Sequence, residues 1–161
     1  MKYLYKSISE ILRADSVLKG MVGYTENSKN IMRGFQPKGN FDKWISFYLQ
    51  PESRIPSGDF SPQIRAVPLI IRVYDREKDL NCDDMGERII LLLNGTDLSV
   101  SGKVHVYDCS YSGEFSGGIW VEEYMAYEKV LRFVLTFRVD EIVGNGGYPD
   151  VDRTRKWHDN D

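Results

Sequence analysis

His105, Asp108 and Cys109 lie within five positions of one another. A cysteine nucleophile beside a histidine base is an arrangement that can carry acyl transfer. On an uninterrupted strand His105 and Cys109 share a face, and Asp108 points away, so the carboxylate cannot orient the imidazole. No glycine-rich elbow or helix N-terminus is placed to lower the thiol pKa. The residues therefore read as ordinary strand residues. A thiol enzyme built on Cys109 ranks as the third reading.

Other clusters point to chemistry no better. Asp79, Asp83, Asp84 and Glu87 gather where a helix begins, without the loop glycine of a calcium hand. Matching of the helix dipole accounts for them. With two histidines, His105 and His158, and no C-x-x-C pair, zinc ligation lacks donors. Glu122, Glu123 and Glu128 supply charge without any sign of a cleft between paired carboxyls. Gly144, Gly146 and Gly147 lack the Lys-Ser/Thr of a phosphate loop and read as a hinge. No cofactor is expected. Arg132 and Arg138 alternate with apolar residues, with Arg65 and Arg72 placed for a neighbouring strand. Such a face can stack single-stranded RNA when aromatics interleave. Here Trp44 and Tyr74 are few and acids are frequent, so protein contact is the preferred reading, and Arg with Trp or Tyr suits an interface.

The composition agrees. The chain has 161 residues, 42% hydrophobic and 12% aromatic, enough for one domain with a real core. A formal charge of -3, from 21 basic and 24 acidic residues, gives no broad grip on phosphates. No apolar run reaches the roughly 20 residues of a membrane span, and the start is too polar for a signal peptide. A cytoplasmic setting with reduced Cys82 and Cys109 is expected.

The elements that must hold these residues follow from periodicity. Leu4, Ile8, Ile11, Leu12 and Leu18 predict helix over 4–21, with Ser7 and Glu10 as a capping box and a fresh cap at Asp15 and Ser16 that breaks it into a long and a short turn. Gly20 and Gly23 end it. A short strand is weakly signalled at 31–35. Residues 43–50 alternate as a strand, and 51–62 form a loop with three prolines. Residues 63–75 are a strand in which Pro68 marks an edge, a bulge or the strand start. Cys82, Met85, Ile89, Leu92 and Leu93 predict a helix over 80–94, stopped by Gly95. A strand is expected at 103–109, a turn-rich loop over SYSGEFSGG, and ambiguity at 119–127. The cleanest strand is 128–140, with Leu131, Phe133, Leu135, Phe137 and Val139 on one face. The expected fold is α+β: a mostly antiparallel sheet of four to five strands, two helices on one face, a long loop and a C-terminal arm. Residues 1–143 form the core domain and 144–161 the arm.

This order of elements resembles the tail-completion and tail-terminator proteins of long-tailed bacteriophages. The resemblance rests on ISEILRADSVLKGMVG, WISFYLQ with VPLIIRVYD, MGERIILLLNGTDL with the turn NGTDLSVSGKV, and VLRFVLTFRV. It covers residues 4–140 and includes neither the 51–62 loop nor the tail after 143. It implies a non-enzymatic virion protein of the tail or neck, assembled in the host cytoplasm. Its implied partners are further copies in a homohexameric ring, the tail tube protein, and a head-side connector or neck protein. DNA would pass through the ring without specific binding, and no membrane is involved. Candidate interface residues are Arg54, Phe60, Arg72, Tyr74, Arg132, Arg138, Tyr148 and Trp157. The competing reading is a small RNA-binding or regulatory domain using the Arg-bearing face.

Overall fold

The computed structural model describes residues 1–34, 41–50, 53–54 and 64–140, with backbone alone at 53–54 and 114–117. Three helices and six strands follow in the order α1 (Lys2–Ala14), α2 (Ser16–Val22), β1 (Ile31–Arg33), β2 (Lys43–Leu49), β3 (Ser53–Arg54), β4 (Arg65–Asp75), α3 (Asp79–Leu93), β5 (Val104–Val121) and β6 (Ala126–Val139). The sheet order is β1-β2-β4-β6-β5, with β3 also on β4. Among the described residues, only β1 and β2 run parallel. The fold is thus α+β with an open mixed sheet. It has two more short strands than the clearest sequence signals gave, and the N-terminal helix breaks at Asp15, where the fresh cap was expected.

The split is set by Asp15. Its backbone leaves the helical region, and its carboxylate accepts the Leu18 N–H at 2.7 Å, capping α2. Gly23 closes α2 in the left-handed region at φ 68°. The expected capping box at Ser7 and Glu10 is not formed. Helix α1 already starts at Lys2, and Ser7 is buried within it. The apolar stripe outweighs the local capping pattern, because it buries Leu4, Ile8 and Leu12 completely.

All three helices contribute to one core against one sheet face. Ile45 and Phe47 of β2, Val67, Leu69, Ile71 and Val73 of β4, and Leu131, Phe133, Leu135 and Phe137 of β6 meet Leu4, Ile8, Leu18, Met85 and Ile89 there. Each fully buried side chain of this size is worth roughly 1.5–3 kcal/mol. Lys129, a long polar side chain only 3% exposed, enters this face. Its stem lies against Gly86, where an added Cβ would sit 3.0 Å from Lys129 Cδ, and its amine emerges to donate to Asp83 at 3.0 Å.

Pro68 lies inside β4, and its position is explained by pairing. Its carbonyl accepts the Gln50 N–H on the β2 side. Its ring nitrogen faces the same side, where partnership passes from β2 to β3 with a one-residue shift in register. The missing donor therefore falls at a break in the ladder. Pro68 thus lies neither on an edge strand nor at the start of β4, but inside a central strand where the partner on one side changes.

The segment SYSGEFSGG is strand, not loop. It forms the middle of β5 and pairs with β6 from Ser110↔Val134 to Ser116↔Val130. Register shifts absorb its turn-prone residues, and Gly113 takes φ 122°. The ambiguous stretch after it resolves into the end of β5, a turn at 122–125 and the start of β6. Tyr124 N–H returns to Val121 O, and Met125 sits at φ 51°.

Candidate interaction surfaces

The same register shifts decide the fate of the cysteine cluster. Val106 pairs with Phe137, but Asp108 pairs with Thr136 and Cys109 with Leu135. One extra residue near Tyr107 flips the alternation. His105 then faces outward with Arg138, while Cys109 enters the core. The expectation that His105 and Cys109 share a face is corrected, and the base and thiol are separated by the sheet itself. Burial pushes the Cys109 thiol up to about 12, with the Asp108 charge adding to it. Cys82 is likewise pushed up to about 12, first by burial and then by nearby carboxylates. Both are free, buried thiols. Among the described residues no group of three or more metal-ligating side chains forms.

The outer sheet face is not uniformly wet. At one end Trp44 stacks on Tyr74, with centroids 4.6 Å apart and planes 17° from parallel, and Tyr124 meets Tyr74 edge-on at 5.5 Å. Ala126 completes this cluster, with Met32 and Phe41 at its margin. Tyr48, Ile70 and Val130 form a second buried group beside it. Alternation on β2 and β4 produces both, since Trp44 opposes Tyr74 and Tyr48 opposes Ile70.

Arg72 lies between the two groups. It donates to Glu128 at 3.3 Å and to the Tyr48 hydroxyl at 3.4 Å. Burial opposes its charge, but the bond to Tyr48 and the Glu128 carboxylate outweigh that and raise its pKa. Tyr74 is 1% exposed, and burial together with Glu128 drives its hydroxyl pKa far up. Arg72 and Tyr74 are thus integrated into the face. Arg132 and Arg138 are half-buried on β6, and Arg138 donates to Asp140 at 2.6 Å. Arg54 lies on β3, paired by backbone with Arg65. Phe60, Tyr148 and Trp157 lie outside the described residues, as do most of the 51–62 loop and the 144–161 arm.

Further along, the outer face is open. Pro68, Val134, Thr136 and Ser110 are half-buried, and His105, Tyr107 and Asp108 are exposed. Ser110 donates to Asp108 there. The largest exposed apolar residues elsewhere are Leu80, Leu91, Met125, Ile119 and Trp120. Three of these flank the β5–β6 turn. Sequence alternation does not place them, because residues 119–127 read as ambiguous and the stretch before them as a loop.

Two carboxylates, Asp75 and Asp15, organise the scaffold. Asp75 is fully buried at the end of β4. It accepts Glu77 N–H at 2.7 Å, Lys78 N–H at 2.9 Å and Asn81 Nδ2 at 2.9 Å. Burial opposes its ionisation, but these donors and Lys43 prevail and hold its pKa below the usual carboxylate value. Asp15 accepts both Nε (3.0 Å) and Nη2 (2.6 Å) of Arg88, tying α2 to α3.

No family model and no curated protein matches the chain. Among solved structures it is similar to a chain of the "Virion of native gene transfer agent (GTA) particle", with a TM-score of 0.59 and 19% identity over 83% of this chain and 92% of that one. At this identity the likeness is one of fold, and it spans most of both chains.

Proposed function

We propose that the chain is a structural, non-enzymatic component of a phage-like virion. Within it, the chain forms a ring at the top of the tail tube, ends tube growth and joins the tail to a head-side connector. The observation that carries this reading is the near full-length fold likeness to a chain of a gene transfer agent virion. The order of helices and strands that resembles tail-terminator proteins supports the finer assignment. Copies of the chain, the tail tube protein and a neck protein are the partners. Arg54, Phe60, Arg72, Arg132, Arg138, Tyr148 and Trp157 supply contacts, with Tyr74 bracing the outer face from beneath. Residues 144–161 act as an arm on a neighbour. A closed ring needs a heterologous interface repeated by rotation.

An RNA-binding reading loses its main support on the outer face. Trp44 and Tyr74 stack on each other and are buried, so neither offers a ring to a base, and Arg72 is held by Glu128. The test is light scattering and negative-stain microscopy of purified protein, alone and with tail tube protein. Rings, or tubes capped at one end and limited in length, are expected. A strict monomer that leaves tube growth unchanged would reject the ring assignment.

A further inference from the structure

Strand β5 stands last in the sheet order, so one side of it faces β6 and the other is an edge. Its first half favours strand pairing, because Val104, Val106 and Tyr107 lie in the run KVHVYDC. Backbone of this kind at an edge is a template for another chain. Here residues 94–100, which follow α3, lie along that edge and take its backbone groups one after another.

Val104 N–H donates to Val100 O at 3.0 Å, and Val100 N–H returns to Val104 O at 2.9 Å. Val106 N–H donates to Ser99 Oγ at 2.8 Å, and the same hydroxyl donates to Val106 O at 3.4 Å. Gly95 N–H donates to Cys109 O at 2.8 Å. Tyr111 N–H donates to Asn94 Oδ1 at 2.9 Å. Two of these acceptors are side-chain oxygens. Ser99 and Asn94 stand where a neighbouring strand would offer carbonyls. They satisfy the edge without adding a strand that could itself be extended.

The segment has its own anchors. Leu98 is 1% exposed and belongs to the core. Thr96 Oγ1 donates to Leu92 O at 2.6 Å, at the end of α3. Asp97 Oδ1 accepts Ser99 N–H at 2.9 Å, a local turn that sets Ser99 beside Val106.

We infer that residues 94–100 are a strap that ends the sheet at β5 and keeps this edge from pairing with the same edge of a second copy of this chain. A second copy is the partner excluded, because a strand edge is complementary to itself. Two antiparallel copies of one strand meet about a two-fold axis and exchange N–H and C=O groups. A closed ring uses a heterologous contact instead, and two-fold edge pairing would compete with it. The strap goes beyond the assembly reading above and does not depend on it.

The test is dipolar spectroscopy of full-length protein spin-labelled at Tyr107→Cys or, separately, at Ser112→Cys, both exposed positions. Native Cys82 and Cys109 are buried. For any antiparallel edge pairing centred between positions 104 and 113, one of the two labels lies within about 20 Å of its counterpart. Each label is read in the parent and in the double variant Asn94→Ala with Ser99→Ala, which lacks both side-chain acceptors. The double variant should raise the population at this short distance about tenfold, and more at higher concentration, the scale of two hydrogen bonds. Asn94→Asp with Ser99→Thr keeps an oxygen at both positions and should return the signal to that of the parent. Should circular dichroism show the double variant unfolded, the two single variants are read in the same way, and each should raise the population about threefold. Folded variants with the distance distribution of the parent overturn the inference, as does a short distance already present in the parent. Light scattering of the parent tests the ring separately, so loss of the assembly reading and loss of the strap are distinct results.

Discussion

A thiol attacks as its thiolate, and both thiols here are held protonated at neutral pH by burial that pushes each to about 12. Neither Cys82 nor Cys109 should react with a maleimide in the folded protein over an hour at pH 7, and both should react once urea unfolds it. Rapid labelling of Cys109 in the native state would reopen the nucleophile question. The aromatic cluster gives a second expectation. Tyr74 shares its hydroxyl with Glu128 and its ring with Trp44. Tyr74→Phe removes one hydrogen bond and should cost about 1 kcal/mol. Tyr74→Ala removes the ring and should cost about 3–5 kcal/mol. Urea melts separate the two. Equal losses would mean that the hydroxyl, not the stack, holds this end of the face.

Elements differ in how plainly the sequence announces them, and β5 and β6 mark the extremes. Strand β6 buries every second residue from Leu131 to Phe137, so a period of two is written into its composition. Strand β5 pairs with it along its length, yet Gly, Ser and register shifts erase the period, and only the partner strand reveals it. The same shifts invert the face of Cys109 relative to His105, which no spacing rule can show. Long-range links are equally silent: nothing near Asp15 names Arg88 as its partner, 73 positions away. The local half of that site, the Asp15 cap of α2, is legible because it depends on neighbours alone. Its electrostatics make a prediction. The Arg88 hydrogen bond is the main cause holding Asp15 below the ordinary carboxylate pKa, with the Leu18 N–H assisting against burial. A depressed folded pKa gives stability that is present above the unfolded value near 3.9 and is lost as pH falls through the folded value. Arg88→Ala should therefore destabilise at pH 7 and show a shallower loss of stability below about pH 4 than the parent. Parallel thermal melts at pH 7 and pH 3 check this. An Arg88→Ala penalty as large at pH 3 as at pH 7 would assign Arg88 a packing role instead. Asp75, also depressed, adds acid sensitivity of the same sign in both proteins.

At the scale of the molecule, one sheet face is committed to the core, while the other mixes buried aromatics with an open stretch. Substitutions should divide accordingly. Phe133 is fully buried at the centre of the core, and truncation of such a ring costs about 3–5 kcal/mol. Against a total stability of about 5–15 kcal/mol, that is a large fraction. For a domain of this size each kcal/mol shifts the midpoint by about 2–4 °C, so Phe133→Ala should lower it by about 6–20 °C. Any loss of assembly in that variant would follow from loss of folded protein. Arg138 is half-buried on the outer face and holds only Asp140 through a local bond. Reversing it to Glu should leave the midpoint within about 4 °C, because an exposed pair of this kind contributes at most about 1 kcal/mol. Under the ring reading the same reversal should still weaken association, because it places a carboxylate where that reading has Arg138 meet a neighbour or the tube. Differential scanning calorimetry and scattering on the same samples separate folding from association. If Arg138→Glu leaves both the midpoint and the assembled mass unchanged, the open end of the outer face is not part of the interface.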